Sequence, residues 1–174
     1  HVPLHTSSNH NGQKTGQHGI HGFWESRLPE LLADAEWDFL LARASYIPNM
    51  EERVWKTVLE SAAAVDSVLA LEQQLTASLS PDAKYAFEWR NQQVVKQYSS
   101  GFSRKYNSIL RGMVERRMQQ AMVMVASTWY TAWVNAGQPD LHNLDARLPA
   151  TDTLLLDSLL LHRRKIITKA KTCD

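Results

Sequence analysis

The stretch YSSGFSRKYNSILRGMVERRMQQAMVMVASTWYTA, residues 98–132, decides the fold class. Tyr98, Phe102, Tyr106, Ile109 and Met113 recur at helical spacing. Leu110, Val114, Met118, Ala121, Val125, Trp129 and Ala132 continue a drifting apolar face. The pattern predicts one long helix over residues 92–136. Gly101 and Gly112 are its weak points, where the ladder can break or bend. Gly137 and Pro139 form the stop. Met113, Met118, Met122 and Met124 read as flexible core filler.

Upstream, Val54, Val58, Ala62, Val65 and Leu69 predict a helix over residues 50–78, closed by Ser80-Pro81-Asp82. Asn49 is its expected N-cap, with Glu51 and Glu52 suited to the positive end of the helix dipole. Asp66 falls beside the apolar stripe. A partly buried acid there is expected to be satisfied by a neighbour rather than catalytic. Residues 21–35 predict a shorter helix with Trp24, Leu28, Leu31 and Leu32 on one side. Pro29 must kink it or start a new helix. From Thr151 a further helix is expected, with Leu154, Leu155, Leu156, Leu159, Leu160 and Leu161 apolar. Arg163, Arg164, Lys165, Lys169 and Lys171 then suit a helix C-terminus. The rival reading of those cations is contact with an anionic membrane surface. No strand-like alternation of any length is read. The expectation is an all-α, multi-helix bundle in one domain over residues 1–174.

Composition sets the bounds. With 44% hydrophobic residues the chain can bury a core, and its formal charge of +1 gives no bulk attraction to nucleic acid or membrane. No run of 18 apolar residues occurs, so no transmembrane helix is expected. The single cysteine, Cys173, excludes an intrachain disulfide.

Five of the seven histidines fall in the first 21 residues, dispersed through a segment interleaved with Pro, Leu, Ile, Phe and Trp, unlike a tag. In His21-Gly-Phe-Trp-Glu25 the imidazole and the carboxylate are four apart, hence neighbours on a helix face. His5 in Pro3-Leu4-His5 adds a second imidazole. Two imidazoles and a carboxylate are the donor set of a catalytic zinc site, which leaves a position for water. A second reading has a terminal His1 chelating copper through its amine and imidazole, with another histidine completing the site.

The run His1-Val-Pro-Leu-His5, then Asn11-Gly12, then His18-Gly-Ile-His21-Gly-Phe-Trp-Glu25, resembles the bacterial zinc-dependent phospholipase C and fungal and plant single-strand-specific nuclease superfamily. That superfamily carries His-x3-Asp-x2-His-x-Pro-Leu-His. A Gly/Asn-rich loop and His-x3-Asp or His-x3-Glu follow. The resemblance implies an all-helical fold, with His5, His21 and Glu25 sharing one zinc of a trinuclear cluster. His1 matches a position that is not a ligand. The likeness extends more generally to Met113-Val-Glu-Arg-Arg117 and to the segment from Trp129 to Asp140. The ligands of the other zincs lie upstream of the Pro-Leu-His motif in the superfamily and are not present here. The expectation is therefore an N-terminally truncated piece: the C-terminal part of a zinc-dependent phosphoesterase domain, with metal-binding motifs in residues 1–25. It would hold one complete zinc site at most and be inactive alone.

The resemblance implies hydrolysis of phosphoester bonds by metal-activated water. His18 would fix the outer nitrogen of a ligating imidazole, or be a plain loop residue; no further catalytic residue is assigned. Glu25 leans toward a phospholipid substrate, since aspartate is the nuclease-like choice. Trp and Tyr that can stack bases keep a nucleic-acid phosphodiester open. A different class is a non-catalytic helical interaction module. Export, to the periplasm or outside the cell, is implied by analogy alone.

Overall fold

The helix expected over residues 92–136 does not form as one element. Its first residues belong to a hairpin of β1 (Tyr85–Arg90) and β2 (Gln93–Tyr98), paired antiparallel with Tyr85 opposite Tyr98 and Trp89 opposite Val94. Aromatic and β-branched residues favour a pleated surface, and Tyr85, Phe87 and Trp89 alternate with smaller or charged neighbours. Gln92 takes a positive φ of 63° beside the join. The fold is therefore mainly helical with a two-stranded antiparallel sheet, and the all-α bundle expected from periodicity is corrected.

The computed structural model describes residues 1–90 and 92–142. The chain divides into two units, His1–Gly137 and Gln138–Asp174. The helix expected from Thr151 lies outside the described residues.

The first unit opens with a 3-10 turn, Pro3–Thr6, and a hydrogen-bonded loop. An unbroken helical run follows: α1 (Ile20–Gly22), a π-helical turn (Phe23–Arg27) and α2 (Leu28–Glu36). Pro29 explains the π turn. Proline lacks an N–H and its ring clashes with the carbonyl four residues back. Widening the turn ahead of it keeps the chain helical, with the Leu28 N–H donating to the Phe23 carbonyl.

The helix expected over residues 50–78 is two: α3 (Met50–Ala63) and α4 (Val65–Ser78), parted at Ala64. Asn49 caps α3 as expected, its side chain accepting from the Glu52 N–H at 3.1 Å. The short α5 (Pro81–Lys84) leads into the hairpin, and α6 (Ser100–Ile109) and α7 (Met113–Asn135) follow. They part at Gly112, in the left-handed region at φ 71°. Gly101 stays inside α6.

The core is an aromatic stack. Phe23 lies flat on Tyr98, centroids 3.8 Å apart, with Tyr106 at 5.1 Å. Leu4, Ile20, Leu28, Leu32, Val68, Phe102 and Val114 close around them. The apolar stripe read on α3 does not face this core: Val54 is 46% exposed and Val58 37%. Thr57 and Ser61 are buried instead, because the Arg117 guanidinium sits there and takes the Thr57 carbonyl and Ser61 hydroxyl as acceptors. The same happens along α7. Val125 and Trp129 are exposed, while Ser127 and Thr131 are buried under an extended segment, accepting from the Ser45 and Ile47 N–H groups at 3.1 and 2.9 Å.

Candidate metal centre

Three of the predicted site residues meet. His5 Nε2 lies 2.8 Å from His21 Nε2, and both approach Glu25 Oε2, at 3.4 and 3.2 Å respectively. His21 and Glu25 come from α1 and the π turn, four residues apart as read. His5 arrives from the 3-10 turn, which buries Pro3 and Leu4 and leaves the imidazole outward. Among the described residues these three form the group of imidazole, thiol and carboxylate donors close enough to hold an ion.

The spacing is near that of a metal site. Ligands about 2.0–2.2 Å from a tetrahedral ion stand about 3.3–3.5 Å apart. The two separations to Glu25, 3.4 and 3.2 Å, are close to that. The His5–His21 distance of 2.8 Å is that of a direct hydrogen bond and must open by about 0.5 Å to admit an ion. Two nitrogens and one oxygen are also a borderline donor set that fits zinc. The His5, His21 and Glu25 side chains are 57%, 25% and 33% exposed, so the group faces water on one side. A proton can also occupy the gap between the nitrogens, with one imidazole donating to the other.

The loop before α1 is built by its own polar groups. Asn9 is buried and accepts from the Lys14 N–H at 2.7 Å while donating to Thr15 Oγ1 at 3.0 Å. Gly12, at φ +72°, must be glycine: a Cβ there would meet the Gln17 carbonyl oxygen at 2.3 Å. Buried Gln17 donates to the Leu69 carbonyl and to Glu72, fastening the loop to α4. Arg117 of α7 fastens the other end, donating to the His1 carbonyl at 2.9 Å. Neither anchor was read from sequence. Asp66 is exposed, and among the described residues the fully buried acid is Glu72, paired with Lys84 at 2.7 Å.

His18 stands apart from the group. It is exposed and lines an open cavity of about 500 Å³ with Gly22, Ser26, Tyr85, Lys96 and Tyr98. The histidine beside the cluster is His10, its ring edge-on to that of His21 with centroids 6.0 Å apart. His1 belongs to neither group. It is half-buried on a cavity of about 150 Å³ with Val2, Trp24, Glu25 and Met118. Among the described residues, the side-chain donors that come together are those of His5, His21 and Glu25.

No family model, curated protein or solved structure matches this chain. Among the described residues, no helix is long and apolar enough to cross a membrane.

Proposed function

We propose that His5, His21 and Glu25 hold a zinc ion and that the site hydrolyses phosphoester bonds. The convergence of three donor atoms from two separate segments, all within 4.8 Å of one another, carries the reading. The resemblance of the Pro-Leu-His and His-x3-Glu segments supports the choice of reaction.

His5 and His21 bring Nε2 lone pairs, which requires both imidazoles neutral. Glu25 brings one negative charge, so a divalent ion there keeps a net positive charge that draws a phosphoryl group. When bound, zinc supplies Lewis acidity toward phosphoryl oxygen and lowers the pKa of water. The α1–π–α2 run holds two of the ligands on one rigid element, which keeps the donor triangle in place.

A phospholipid fits better than a nucleic acid. Binding a polyanion rests on neutralising successive phosphates with lysine and arginine. Here Arg27 and Arg90, which line the cavity beside His18, are both paired to Glu30 and Glu88, leaving Lys96 as the cation there without a carboxylate partner among the described residues.

The test is zinc content by elemental analysis of the purified chain before and after chelation. Hydrolysis of bis(p-nitrophenyl) phosphate, phosphatidylcholine and single-stranded DNA follows. One zinc per chain in the parent and none in His21→Ala is the expected result. Equal zinc in both would sink the ligand assignment, and a loaded chain that turns over no substrate would sink the reaction.

A further inference from the structure

The hairpin carries a cluster of exposed apolar side chains. Phe87 is 75% exposed, Trp89 73% and Val94 60%. The register puts them on one face, because Phe87 and Trp89 are two apart on β1 and Val94 lies opposite Trp89. Tyr85 and Tyr98 continue the same face inward, where they line the cavity beside α1 and the π turn. The face is thus anchored in the core at its base and bare at its tip. Large apolar side chains grouped in water mark a contact surface.

We propose that the hairpin tip is a membrane-interface anchor, inserting Phe87, Trp89 and Val94 among the headgroups and upper acyl chains of a phospholipid bilayer. Size and shape decide the partner. Three partly exposed side chains offer on the order of 400 Å² of apolar surface, about half of what each partner contributes to a standard protein interface. A narrow two-stranded ribbon also presents a ridge, not a flat patch. A fluid interface needs no complementary shape, and tryptophan is the residue that settles at headgroup depth. Charge agrees. Lys96, directly opposite Phe87, lies with Nζ 4.1 Å from the Tyr85 ring centroid and has no carboxylate partner among the described residues. It stands where a lipid phosphate would meet it. A nucleic acid would also want aromatic stacking, but one free lysine is a poor match for a run of phosphates. The anchor needs no metal, so it stands or falls apart from the zinc site.

The experiment is co-sedimentation of the full chain with sucrose-loaded phosphatidylcholine vesicles containing 25% phosphatidylglycerol, with chelator present. Melting is measured in parallel. The parent is expected to pellet with vesicles, and Phe87→Ser/Trp89→Ser to lose at least tenfold in partition coefficient while melting as the parent does. Val94→Ser alone should lose less, and Lys96→Glu should weaken binding to these anionic vesicles but not to vesicles of phosphatidylcholine alone. A parent that stays in the supernatant overturns the proposal, as does a double variant that still pellets. So does concentration-dependent self-association, or single-stranded DNA binding, that the double variant abolishes without change in vesicle binding.

Discussion

Arg117 Nε donates to the His1 carbonyl oxygen at 2.9 Å. The same guanidinium donates to the Thr57 carbonyl and the Ser61 hydroxyl of α3 and sits 3.3 Å from Glu60. One buried cation thus ties the chain entering the Pro3–Thr6 turn to two helices, and His5 rides on that turn. Removing it leaves several acceptors without a donor. Arg117→Ala is expected to destabilise by about 1–3 kcal/mol, the cost of the stranded buried acceptors, since Glu60 is 42% exposed and keeps its charge in water. In a chain of this size that is a fall of about 2–4 °C in melting temperature per kcal/mol. Arg117→Lys keeps the charge but not the fork, so it should recover only part of the loss. The positioning role is read from zinc affinity in whichever variant stays folded: His5 loosened should weaken binding. Unchanged affinity would limit Arg117 to stability alone.

The metal site predicts a linkage between zinc and folding. An ion that binds the native chain alone, at one hundred times its Kd, stabilises by about 2.7 kcal/mol. Melting should rise accordingly with added zinc and fall back with chelator. His21→Ala should abolish the rise, since His21 lies closest to both other donors. Glu25→Gln should weaken it, because a neutral amide replaces the carboxylate. His10→Ala is the contrast: its ring touches His21 edge-on, and the variant should keep its zinc. A rise in melting that survives His21→Ala would place the ion elsewhere.

Much of this was legible in the chain, and the failures have physical causes. Asn49, Pro29 and Gly137 act locally, so cap, helix irregularity and stop could be read from neighbours alone. His21 and Glu25 were legible for the same reason: four residues on a helix are adjacent whatever surrounds them. His5 meets them across 16 residues, and there spacing is silent; only the motif resemblance joined them. The hairpin was lost because Tyr98, the last residue of β2, stands four before Phe102 and eight before Tyr106, so it mimics the helical period. The α3 stripe misled because periodicity counts apolar residues and ignores a buried arginine. Once Arg117 lies between α3 and α7, Thr57 and Ser61 must turn inward and Val54 and Val58 turn out.

Glu72 makes a second buried charge a point of vulnerability. It is 1% exposed, accepts from Gln17 and Thr76, and pairs with Lys84 Nζ at 2.7 Å. Lys84→Met would leave the carboxylate buried without its cation, a change that costs about 3–5 kcal/mol. The double variant Lys84→Met/Glu72→Leu should regain much of that loss, since an apolar pair of similar volume avoids the desolvation of both charges. Chemical denaturation of the two variants decides it. A double variant no more stable than the single one would show that the Gln17 contact, and with it the loop, matters more than the ion pair.

Alkaline pH supplies a test of the aromatic core. The Tyr106 hydroxyl is buried and donates to the Val68 carbonyl at 2.7 Å. Burial, with the Glu72 charge adding to it, pushes its pKa well above the ordinary value of 10.0. The unfolded chain therefore releases this proton near its ordinary value while the folded chain keeps it. By linkage, the contribution is fully present below about pH 10 and declines as pH climbs from there toward the raised folded value. The chain should unfold as pH climbs past about 10, with the tyrosinate absorbance of the core appearing together with loss of helical circular dichroism. Tyr106→Phe removes the hydroxyl and its bond. It is expected to cost about 1–2 kcal/mol near neutral pH, from the lost bond and the stranded carbonyl, and to flatten the alkaline decline. A variant that unfolds over the same alkaline range with the same steepness would mean that Tyr106 does not govern it, and the decline would have to come from another titrating group.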